Sequence, residues 1–583
     1  MTTNAEIAAR LEEFADLLAA DDVEYKPRVY RRAAEAVAAH PAPIGDLVAD
    51  GDRAAIEEIE GVGEAISGKI VEYVETGTIA ELEEHREALP VDMAALTRVE
   101  GVGPKTVGTL YRELEITDLD ELETAAETGE IQTVSGFGPK TEQNILENVD
   151  FARTAGQRQL LGEARPLADE VLAYLDGIDA VERLEVAGSI RRWRETIGDV
   201  DVLVATERPR SVVASVLEWD SIDDEIESGP TKASVRVGDV RVDVRLVAPR
   251  EFGSALQYFT GSKAHNVRLR SYAIERDMKL NEYGAFDVSD VPDPDEDQRV
   301  GDRVAGDTED GMYESLGLPP IPPELREDRG EIAAAAEDRL PDLLDLANVR
   351  GDLHTHTDWS DGNNSIEEMA TAAADRGYDY YGIADHAEGP GVVASVGLDS
   401  AAILEQVETI RDLEETLDVS LLAGIEANID RNGAIGLSDE VVDALDFVVA
   451  SPHAALDQEA ESAMDRLVRA IEDPAVDVIG HPSGRMLNQR EGLPIDAAAL
   501  GEAAATHGTA LEVNANPRRL DLWGGAVQAA LEEGAPIAVN TDAHRPATLE
   551  YMRLGVHTAR RGWAEPADVI NTWSYEELLS FFE

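Results

Sequence analysis

The sequence predicts a multidomain protein of mixed α+β and α/β class, with helical domains first, a central mixed domain next and a distorted β/α barrel last. A Gly-hydrophobic-Gly pattern recurs three times between helical segments within residues 59–141. Segments of alternating hydrophobicity, typical of strands, lie at 199–205 and 240–247. From residue 348 onward, apolar strand-like runs alternate with helical patterns, which favours a β/α barrel. At roughly 150 residues per domain, the 583 residues suggest about four domains.

The composition indicates a globular protein without disulfides or a membrane span. Hydrophobic residues make up 43% of the chain, and the absence of Cys excludes disulfides, thiolate metal sites and cysteine catalysis. The first residues, MTTNAEIAARLEEFADLL, have the pattern of an amphipathic helix and not of a signal peptide. No apolar run approaches the roughly 18 residues that a membrane span needs. We therefore expect a cytoplasmic protein that contacts no membrane.

The formal charge of −69, from 50 Lys and Arg against 119 Asp and Glu, argues at first against a nucleic-acid partner. However, only seven of the 50 are Lys and the other 43 are Arg, while aromatic residues are 5% of the chain. Abundant acidic residues with scarce Lys resemble proteins from a salt-rich cytoplasm. Since the Debye length is about 3 Å at molar salt, we interpret the charge as a halophilic adaptation and not as exclusion of DNA.

The two ends of the chain differ in composition. Residues 1–320 hold all seven Lys, whereas 348–583 hold eight of the eleven His and no Lys. Between them, LGLPPIPPELRED is Pro-rich and predicts a stiff connector. An acidic stretch at about 288–311 predicts a loop or a short peripheral ribbon. The predicted boundaries are 1–88 and 89–153 for two helical domains, 154–247 and 248–318 for the central region, 319–347 for the linker and 348–583 for the barrel.

The repeated pattern in the first region is that of a helix-hairpin-helix. The glycines allow a tight turn, and the helix that follows begins with free backbone N–H groups that can hold a phosphate with the help of the helix dipole. A purely structural hairpin would explain one copy, but three copies, two of them ending in Pro-Lys-Thr, favour phosphate contact. The residues of these turns that we predict to bind DNA are Gly61, Gly63, Gly101, Gly103, Lys105, Gly136, Gly138 and Lys140.

Three carboxylates in the central region predict a metal site. Asp199 and Asp201 occupy alternate positions of one strand and face the same side, and Asp243 lies in a neighbouring strand. A solvated edge strand would explain Asp-x-Asp alone, but not the third Asp as well. Three carboxylates left together repel one another. Two Mg²⁺ ions would relieve this repulsion and bridge the phosphates of a nucleotide.

A phosphate-binding turn is predicted before these aspartates. Gly188 and Ser189 stand at the start of a helix and supply N–H and hydroxyl donors. Arg192 adds a forked cation suited to the β- and γ-phosphates.

The segments GSIRR, GDVD and RVDVR, followed by YFTGS and LNEY, resemble the family-X DNA polymerases of the polymerase-beta kind over about residues 1–320. The resemblance implies fingers at 89–153, a nucleotidyltransferase palm at 154–247 and a thumb at 248–318. It implies that the three aspartates bind Mg²⁺, that Asp243 also activates the primer 3′-hydroxyl, and that Gly188, Ser189 and Arg192 bind the triphosphate.

The resemblance also assigns roles in the predicted thumb. Tyr258, Phe259 and Gly261 match the segment that excludes a ribose 2′-hydroxyl, although an aromatic core pair would equally explain the first two residues. Asn266 and Arg270 match contacts to the minor groove near the nascent base pair.

The amino-terminal domain of this family can cleave 5′-deoxyribose phosphate through a Schiff-base lysine. The register from Gly61 places Lys69 at the position of that nucleophile, while Lys26 and Tyr30 match the region that binds the 5′-phosphate. Ala65 occupies a position where polymerase-beta has a lysine, so the implied phosphate pocket is weaker here. A surface charge on a helix is the alternative interpretation of Lys69.

The last region has a second set of metal ligands. His-x-His at the start of the region points two imidazoles to one face of a strand, and further His, Asp and Glu residues follow apolar, strand-like runs. In a β/α barrel, these strand ends meet at one mouth. The predicted ligands are His354, His356, Asp361, His386, Glu426, His453, His481, Asp542 and His544.

This set resembles the PHP (polymerase and histidinol phosphatase) domain, a metal phosphoesterase, over about 348–583. The resemblance implies three metals, Mn²⁺ or Zn²⁺, as suits mixed nitrogen and oxygen ligands. The three implied sets are His354, His356, Glu426 and Asp542; then Asp361, His386 and His544; and then Glu426, His453 and His481. We expect His507 and His557 to be structural or surface residues. Arg485, Arg518 and Arg519 are either substrate contacts or solvated.

A polymerase joined to a phosphoesterase resembles the bacterial and archaeal form of the family-X DNA polymerases. It implies a DNA-repair enzyme that adds dNTPs in gapped or primer-template DNA, with a 3′–5′ exonuclease or 3′-end processing activity in the PHP domain and a possible abasic-site endonuclease. We expect a monomer. Two alternatives remain at this point, a small-molecule PHP phosphatase with a DNA-binding tether and a non-catalytic DNA-binding scaffold.

Overall fold

The structure, a computed structural model, describes the chain apart from residues 1–3, 24, 39, 41–43, 50, 52, 58, 60, 100, 156–157, 239, 295, 392–395, 415 and 583. Glu60 and Glu100 of the hairpin patterns thus lie outside the described residues. The chain forms two compact units, one of residues 1–157 with 488–490 and one of 158–487 with 491–583. Within the described parts, no helix is both long enough and apolar enough to cross a membrane.

The first unit is helical and packs around a core that includes Leu11, Phe14 and Ile70. Two of its helices lie so close that a side chain at Gly108 would meet the carbonyl oxygen of Ala20 at 2.2 Å. The helices of this unit are Asn4–Ala20, Lys26–Ala38, Ile44–Ala49, Arg53–Glu57, Glu64–Thr76, Ala80–Ala88, Met93–Leu96, Pro104–Leu114, Leu119–Glu127 and Pro139–Ala155, with a 3₁₀ turn at Ile131–Thr133.

Three glycines with positive φ form the hairpin turns. The φ angles are +74° at Gly61, +81° at Gly101 and +96° at Gly136, a region that glycine enters without steric cost. Gly63 and Gly103 are extended and stand immediately before the helices Glu64–Thr76 and Pro104–Leu114. Each turn therefore leads into a fresh helix start, which confirms the helix-hairpin-helix pattern.

The central region is built on a five-stranded sheet in the second unit. The strand order is Arg183–Val186, Val200–Ala205, Val240–Val247, Lys232–Val237 and Asp224–Ser228. The second and third strands in this order are parallel, and the other neighbours are antiparallel. The helices Leu161–Asp176, Gly188–Arg191 and Pro209–Leu217 belong to this region, as does the short strand pair Gln159–Leu160 and Thr196–Ile197.

A smaller α+β region follows the five-stranded sheet. It contains a 3₁₀ turn at Pro249–Glu251, the helices Phe252–Thr260, Lys263–Ile274 and Glu309–Glu314, and the strands Met278–Asn281, Gly284–Asp287 and Asp302–Ala305. The last strand pairs with the middle one and lies within the acidic stretch at 288–311. That stretch is therefore part of a short ribbon, one of the two forms predicted for it.

The segment predicted as a linker, 319–347, is packed against the region before it. Ile321, Leu325 and Ile332 are buried in the same apolar cluster as Met312 and Tyr313. The prolines keep the backbone of the segment extended, and its apolar side chains pack into this cluster. Its helical elements are Pro323–Leu325, Glu331–Ala336 and Leu346–Asn348.

The last region is a parallel seven-stranded sheet whose strands follow chain order, and it curls into a nearly closed barrel. Beyond the two edge strands, Thr355 and Ala543 form a parallel bridge, and Asp542 N donates to His354 O at 3.0 Å. The predicted β/α barrel is thus confirmed. The strands are Gly351–Asp352, Tyr380–Ile383, Ser420–Asn428, Phe447–Ser451, Val478–Ile479, Ala510–Asn514 and Ile537–Asn540.

The barrel strands are buried along their lengths because helices cover the outside of the sheet. The covering and terminal helices are Ile366–Asp375, Ser400–Glu414, Asp439–Val442, Ala460–Ile471, Ala497–His507, Gly524–Glu532, Met552–Arg561 and Tyr575–Phe582, with 3₁₀ turns at Pro546–Tyr551, Pro566–Asp568 and Ile570–Thr572.

A buried ion network ties the helix Gly188–Arg191 of the central region to the packed segment 319–347. Glu309 accepts hydrogen bonds from Arg191 at 2.7 Å and from Arg326 at 2.5 Å, and the side chain of Arg326 is only 2% exposed. Burial opposes the charge of Glu309, but Arg326 and Arg191 outweigh it and lower the pKa of Glu309 to about 2. The carboxylate therefore stabilises the fold as an anion.

Replacing Glu309 by Gln should lower the free energy of unfolding of the second unit by about 3 kcal/mol, because Arg191 and Arg326 would remain buried without their anion. Urea denaturation of the full chain measures the change. Glu337→Gln, at an exposed pair with Arg339, is the matched control. Because the folded-state pKa of Glu309 is depressed, its contribution is complete above pH 4.5 and is lost as pH falls from 4.5 towards 2. Equal stability of the two variants would contradict the assignment.

Candidate functional site

The three predicted aspartates of the central region come together. Asp201 and Asp243 lie directly opposite each other on parallel neighbouring strands, and Asp199 immediately precedes the strand of Asp201. One carboxylate oxygen of each lies within 4.8 Å of the others. Asp243 accepts hydrogen bonds from Arg241 Nε at 2.9 Å and Nη2 at 3.1 Å, so its orientation is fixed from outside the trio.

The electrostatics of the trio suit a divalent cation. Burial, followed by the negative charges of Asp199 and Asp243, raises the pKa of Asp201 to about 7. A bound divalent cation would offset this repulsion, because its two positive charges attract all three carboxylates. It would take the place of the proton that the raised pKa of Asp201 otherwise favours. The oxygen-only donor set fits a hard cation such as Mg²⁺.

Gly188 lets the predicted phosphate-binding turn approach the trio. Its φ is +60°, and a Cβ placed on it would lie 2.2 Å from Asp201 Oδ2. The turn can therefore approach the Asp201 carboxylate only because residue 188 has no side chain. Ser189, in the first turn of the helix Gly188–Arg191, is partly exposed next to it.

Arg192 is held by protein groups in this structure. Its Nε donates to Glu327 Oε1 at 3.1 Å, its Nη1 donates to the carbonyl of Thr260, and its side chain is 13% exposed. Gly261, with φ +72°, follows Thr260, and a Cβ on it would lie 3.0 Å from Arg192 Nη1. The predicted triphosphate ligand and the predicted ribose-sensing segment thus touch each other.

The other predicted thumb contacts form one chain of hydrogen bonds. Asn266 Nδ2 donates to Tyr258 O at 2.7 Å, and the exposed Arg270 donates through Nε to Asn266 O at 3.2 Å. Phe259 packs edge-on against Tyr258 with ring centroids 5.1 Å apart and lies under the guanidinium of Arg245. Tyr258 and Arg270 also line a cavity of about 860 Å³ on this region.

In the first unit, the predicted DNA-contact lysines are on the surface. Lys105, at the start of its helix, is paired with Asp22 at 2.5 Å and is 73% exposed. Lys140, at the corresponding turn, is exposed, as is Lys26. These side chains stand where a backbone phosphate could reach them.

Lys69 lies near the predicted 5′-phosphate region of the same unit. Its side chain is 13% exposed, it pairs with Glu81, and its Nζ lies 5.2 Å from the ring centroid of Phe14. The Lys69 hydrogen bond lowers the pKa of Glu81. Tyr30 is 7% exposed and packs edge-on against Phe14, and its burial raises its pKa to about 12. Tyr30 is thus part of the core beneath Lys69.

The nine predicted ligands of the barrel converge on its mouth. Each follows the carboxyl end of a strand or lies late within one, because parallel strands present their carboxyl ends at one edge. The residues after the first strand, His354 and His356, are fully buried, whereas Asp361 in the loop beyond them is half-exposed.

Glu426 is the centre of this cluster, and its carboxylate lies within 4 Å of five imidazoles. Burial opposes its charge, but His453, His386 and His354 outweigh this and hold the pKa of Glu426 well below its ordinary range. The shortest distances from its oxygens are 2.6 Å to His386 Nδ1, 3.1 Å to His481 Nε2, 3.2 Å to His453 Nε2, 3.3 Å to His354 Nε2 and 3.8 Å to His356 Nε2.

The remaining ligands form two groups beside Glu426. Asp361 lies 3.3 Å from His544 Nε2 and 3.5 Å from His386 Nε2, and His356 Nε2 lies 3.1 Å from Asp542 Oδ1. His356 belongs to both groups by distance, whereas the resemblance implied it only in the set with His354, Glu426 and Asp542. The groups that could hold a metal ion are His354, His356 and Asp542; His356, Asp361, His386 and His544; and His386, Glu426 and His453.

Several buried ligand atoms make no well-aligned hydrogen bond among the described residues, although some of them lie within 4 Å of Glu426. Leaving a buried polar atom without a partner costs about 1–3 kcal/mol, which a bound cation would offset. Mixed nitrogen and oxygen donors fit Mn²⁺ or Zn²⁺. The donor set therefore fits a divalent metal centre. The atoms concerned are His354 Nε2, His356 Nδ1 and Nε2, His386 Nδ1, Glu426 Oε2 and His481 Nδ1.

Two buried carboxylates were missed at the sequence level. Glu512 Oε1 lies 2.7 Å from His354 Nδ1, and its other oxygen accepts from the backbone N–H of His481 at 2.6 Å. Asp385 accepts from the backbone and side chain of Thr357, at 2.8 and 2.6 Å. The available signal was an acidic residue within a buried apolar strand, ALEVN, and the Asp that precedes His386 in IADHA.

The arginines and histidines to which the motifs assign no definite role have distinct environments. Arg519 Nε lies 3.6 Å from Asp542 Oδ2, at the edge of the ligand cluster, whereas Arg485 donates to the carbonyl of Arg519 at 2.8 Å. Arg518 and His507 are exposed. His557, outside the cluster, is packed against the central region.

Models of four protein domains match parts of the chain. They are a helix-hairpin-helix domain over 2–79, a SAM-like helix-hairpin-helix tandem over 93–149, a DNA polymerase beta thumb over 255–327 and a PHP domain over 352–516. The chain is 34% identical over 529 residues to the DNA polymerase/3′-5′ exonuclease PolX of Bacillus subtilis (strain 168), a match that covers 90% of each chain.

Shorter relatives match parts of the chain. A probable phosphatase of Caldanaerobacter subterraneus subsp. tengcongensis is 31% identical over 33% of this chain and 75% of its own length. A probable phosphatase of Acetivibrio thermocellus is 31% identical over 28% of this chain and 64% of its own length.

Substituting Gly188 by Ala should weaken Mg²⁺ binding at the aspartate trio by about tenfold or more, because the new Cβ displaces the Asp201 carboxylate. Isothermal titration calorimetry of the full chain measures the affinity. Gly238→Ala is the matched control, since Gly238 has φ +56° but nothing within 4 Å of its Cβ position. Equal losses in both variants would attribute the effect to backbone strain alone and refute the contact argument.

Substituting Glu512 by Gln should weaken Mn²⁺ binding at the barrel by about 10- to 100-fold, because the neutral amide no longer orients the His354 ring as the carboxylate does. Metal content after dialysis and calorimetry both report this change. Glu502→Gln, on the exposed face of the helix Ala497–His507, should bind as the unaltered chain does. Unchanged affinity in Glu512→Gln would show that Glu512 does not support the ligand.

Proposed function

The chain belongs to the family-X DNA polymerases that carry a C-terminal PHP domain, and on this premise we propose how its residues divide gap filling and 3′-end processing. It is a DNA-repair polymerase with a PHP exonuclease domain, it depends on divalent metal, and its substrates are DNA and dNTPs. One observation carries the proposal: the chain holds an oxygen-only carboxylate trio on a palm sheet and a separate, histidine-rich centre at a barrel mouth.

Synthesis is assigned to Asp199, Asp201 and Asp243, which would hold Mg²⁺. When bound, Mg²⁺ neutralises phosphate charge and favours attack by the primer 3′-hydroxyl on the α-phosphate. Asp243 is the residue assigned to activate that hydroxyl. Two hydrogen bonds from Arg241 support this assignment, because they fix the orientation of the Asp243 carboxylate as an acceptor.

The incoming dNTP is assigned to the turn Gly188–Ser189 and to Arg192. The Tyr258–Phe259 and Gly261 segment would exclude a ribose 2′-hydroxyl, and its contact with Arg192 supports a shared pocket. Asn266 and Arg270 would contact the minor groove. The hairpin turns, with Lys105 and Lys140, would hold backbone phosphates through N–H groups and two exposed cations.

Removal of 3′-terminal nucleotides or blocking groups is assigned to the barrel mouth. Mn²⁺ or Zn²⁺, up to three ions, would be held there by the nine ligands with Glu426 shared between them, and when bound these metals supply a nucleophile from water and neutralise phosphate charge. The protein contributes a buried ligand set, and Glu512 and Asp385 fix the first loop around it. Incision at abasic sites belongs to the same proposal.

The alternatives explain less of the chain. Probable phosphatases match only about a third of it, whereas the polymerase relative matches 90%, which disfavours a small-molecule phosphatase with a tether. Two complete ligand clusters disfavour a non-catalytic scaffold. The domain boundaries given above, a monomeric state, a cytoplasmic location and adaptation to high salt remain part of the proposal.

Asp243→Ala should reduce dNTP incorporation on gapped DNA by more than about 100-fold and leave 3′-end degradation unchanged, because the two centres use separate ligands. His386→Ala or Glu426→Ala should do the reverse. Primer extension and 3′-degradation of one labelled substrate measure both activities in the same sample. Loss of both activities from any one of these substitutions would refute the assignment to two sites.

A 5′-deoxyribose phosphate lyase activity is assigned to Lys69, whose amine lies in a mostly buried position over Phe14. Borohydride should trap the chain on incised abasic DNA, and Lys69→Ala should lose about 90% or more of the trapped product because the Schiff base would form on this amine. Lys140→Ala is the control for a lysine at a DNA-facing turn. Equal trapping in Lys69→Ala and the unaltered chain would remove this activity from the proposal.

A further inference from the structure

Trp193 has an unusual backbone conformation at a functional position. It follows Arg192 directly, at the end of the turn that begins with Gly188, and its φ is +54°. A bulky side chain rarely occupies this left-handed region, and such a conformation persists only where the surroundings enforce it. The residues around Trp193 therefore hold the backbone of the Gly188–Arg192 turn in its observed conformation.

Trp193 packs within the apolar cluster of the central region, and the barrel adds further contacts to its ring. The ring of His557 lies parallel to the indole, with centroids 3.5 Å apart and planes 5° from parallel. Arg553, one helix turn before His557, and Arg165 of the palm place their guanidinium carbons 4.9 and 5.0 Å from the indole centroid. Together with this cluster, these contacts leave Trp193 only 7% exposed.

The His557 ring is itself held in one orientation. Its Nδ1 lies 2.8 Å from Glu324 Oε1, and Arg560 Nε donates to the same oxygen at 2.7 Å. Glu324 belongs to the packed segment 319–347. The stack on Trp193 is therefore fixed by a third element of the second unit.

The same barrel helix, Met552–Arg561, also holds Arg192. Arg561 Nη1 donates to the backbone carbonyl of Arg192 at 2.7 Å. Glu327 Oε1 lies 3.1 Å from Arg192 Nε and 3.3 Å from Arg561 Nη1, so one carboxylate links the two guanidinium groups. The backbone and the side chain of the predicted triphosphate ligand are both fixed from this helix.

We infer that the helix Met552–Arg561 of the PHP domain positions the nucleotide-binding turn of the polymerase site, with His557 and Arg561 acting as positioning residues for dNTP binding. The inference rests on the proposed assignment of Arg192 to the triphosphate. It gives the PHP domain a second role, in synthesis, that uses none of its nine ligands. Neither residue touches the substrate; both act through Trp193 and Arg192.

The test compares three variants of the full chain in single-nucleotide incorporation on gapped DNA. His557→Ala should raise the KM for dNTP by about tenfold with a smaller change in kcat, because the unsupported turn binds the triphosphate less often in the right geometry. His557→Phe, which keeps an aromatic ring on Trp193, should restore the KM to within about twofold. His507→Ala, at an exposed His of the same domain, should match the unaltered chain.

A second substitution separates positioning from general destabilisation. Trp193→Gly suits the positive φ but removes the stack, so it should raise the KM for dNTP as His557→Ala does while 3′-end degradation stays unchanged. An unchanged KM in folded His557→Ala and Trp193→Gly would overturn the inference, as would a parallel loss of synthesis and degradation. If the unaltered chain incorporated no dNTP, the proposed function would fail and the inference with it. Incorporation by the unaltered chain with equal KM in His557→Ala would refute the inference alone.

Discussion

Holding negative charges together is the constraint on which this structure depends. The chain carries a formal charge of −69, and its two functional centres nevertheless gather carboxylates at close range. On the palm sheet, the repulsion appears as the raised pKa of Asp201. At the barrel mouth, five imidazoles surround Glu426 and hold it as an anion. Both centres are built for cations, one from oxygen donors alone and the other mainly from imidazole nitrogens, and this difference in donors separates their metal chemistry.

The same constraint explains how the scarce positive charge is used. Most of it is Arg, whose guanidinium can be buried in fixed ion pairs better than an ammonium can. Arg326 and Arg561 are 2% and 4% exposed, and each pairs with a Glu at a junction between regions of the second unit. The buried arginines thus join the palm, the packed segment and the barrel, whereas Lys26, Lys105 and Lys140 of the first unit are exposed. The acidic residues that carry the net negative charge repel one another, whereas the buried glutamates at these junctions are paired with arginines.

The ligand sets could be predicted from the sequence because their geometry is local. Asp-x-Asp and His-x-His face one side of a strand whatever the rest of the fold does, and strand ends in a β/α barrel meet at one mouth. Glu512 could not be predicted in this way, since its contact with His354 depends on the closure of the barrel, which brings two strands distant in the sequence together. The segment 319–347 shows a different limit: its prolines indicated a connector, but the burial of Ile321 and Leu325 depends on a thumb surface that local pattern does not describe.

The two centres are connected by a short and continuous stretch of chain. Asp542 and His544 belong to the metal cluster, the 3₁₀ turn Pro546–Tyr551 follows, and the helix Met552–Arg561 then reaches the turn of Arg192. The segment that carries Asp542 and His544 and the helix that contacts Arg192 are therefore consecutive in the chain. In a repair enzyme with opposing activities, this continuity makes the PHP domain part of the polymerase site's framework and not only an appended nuclease.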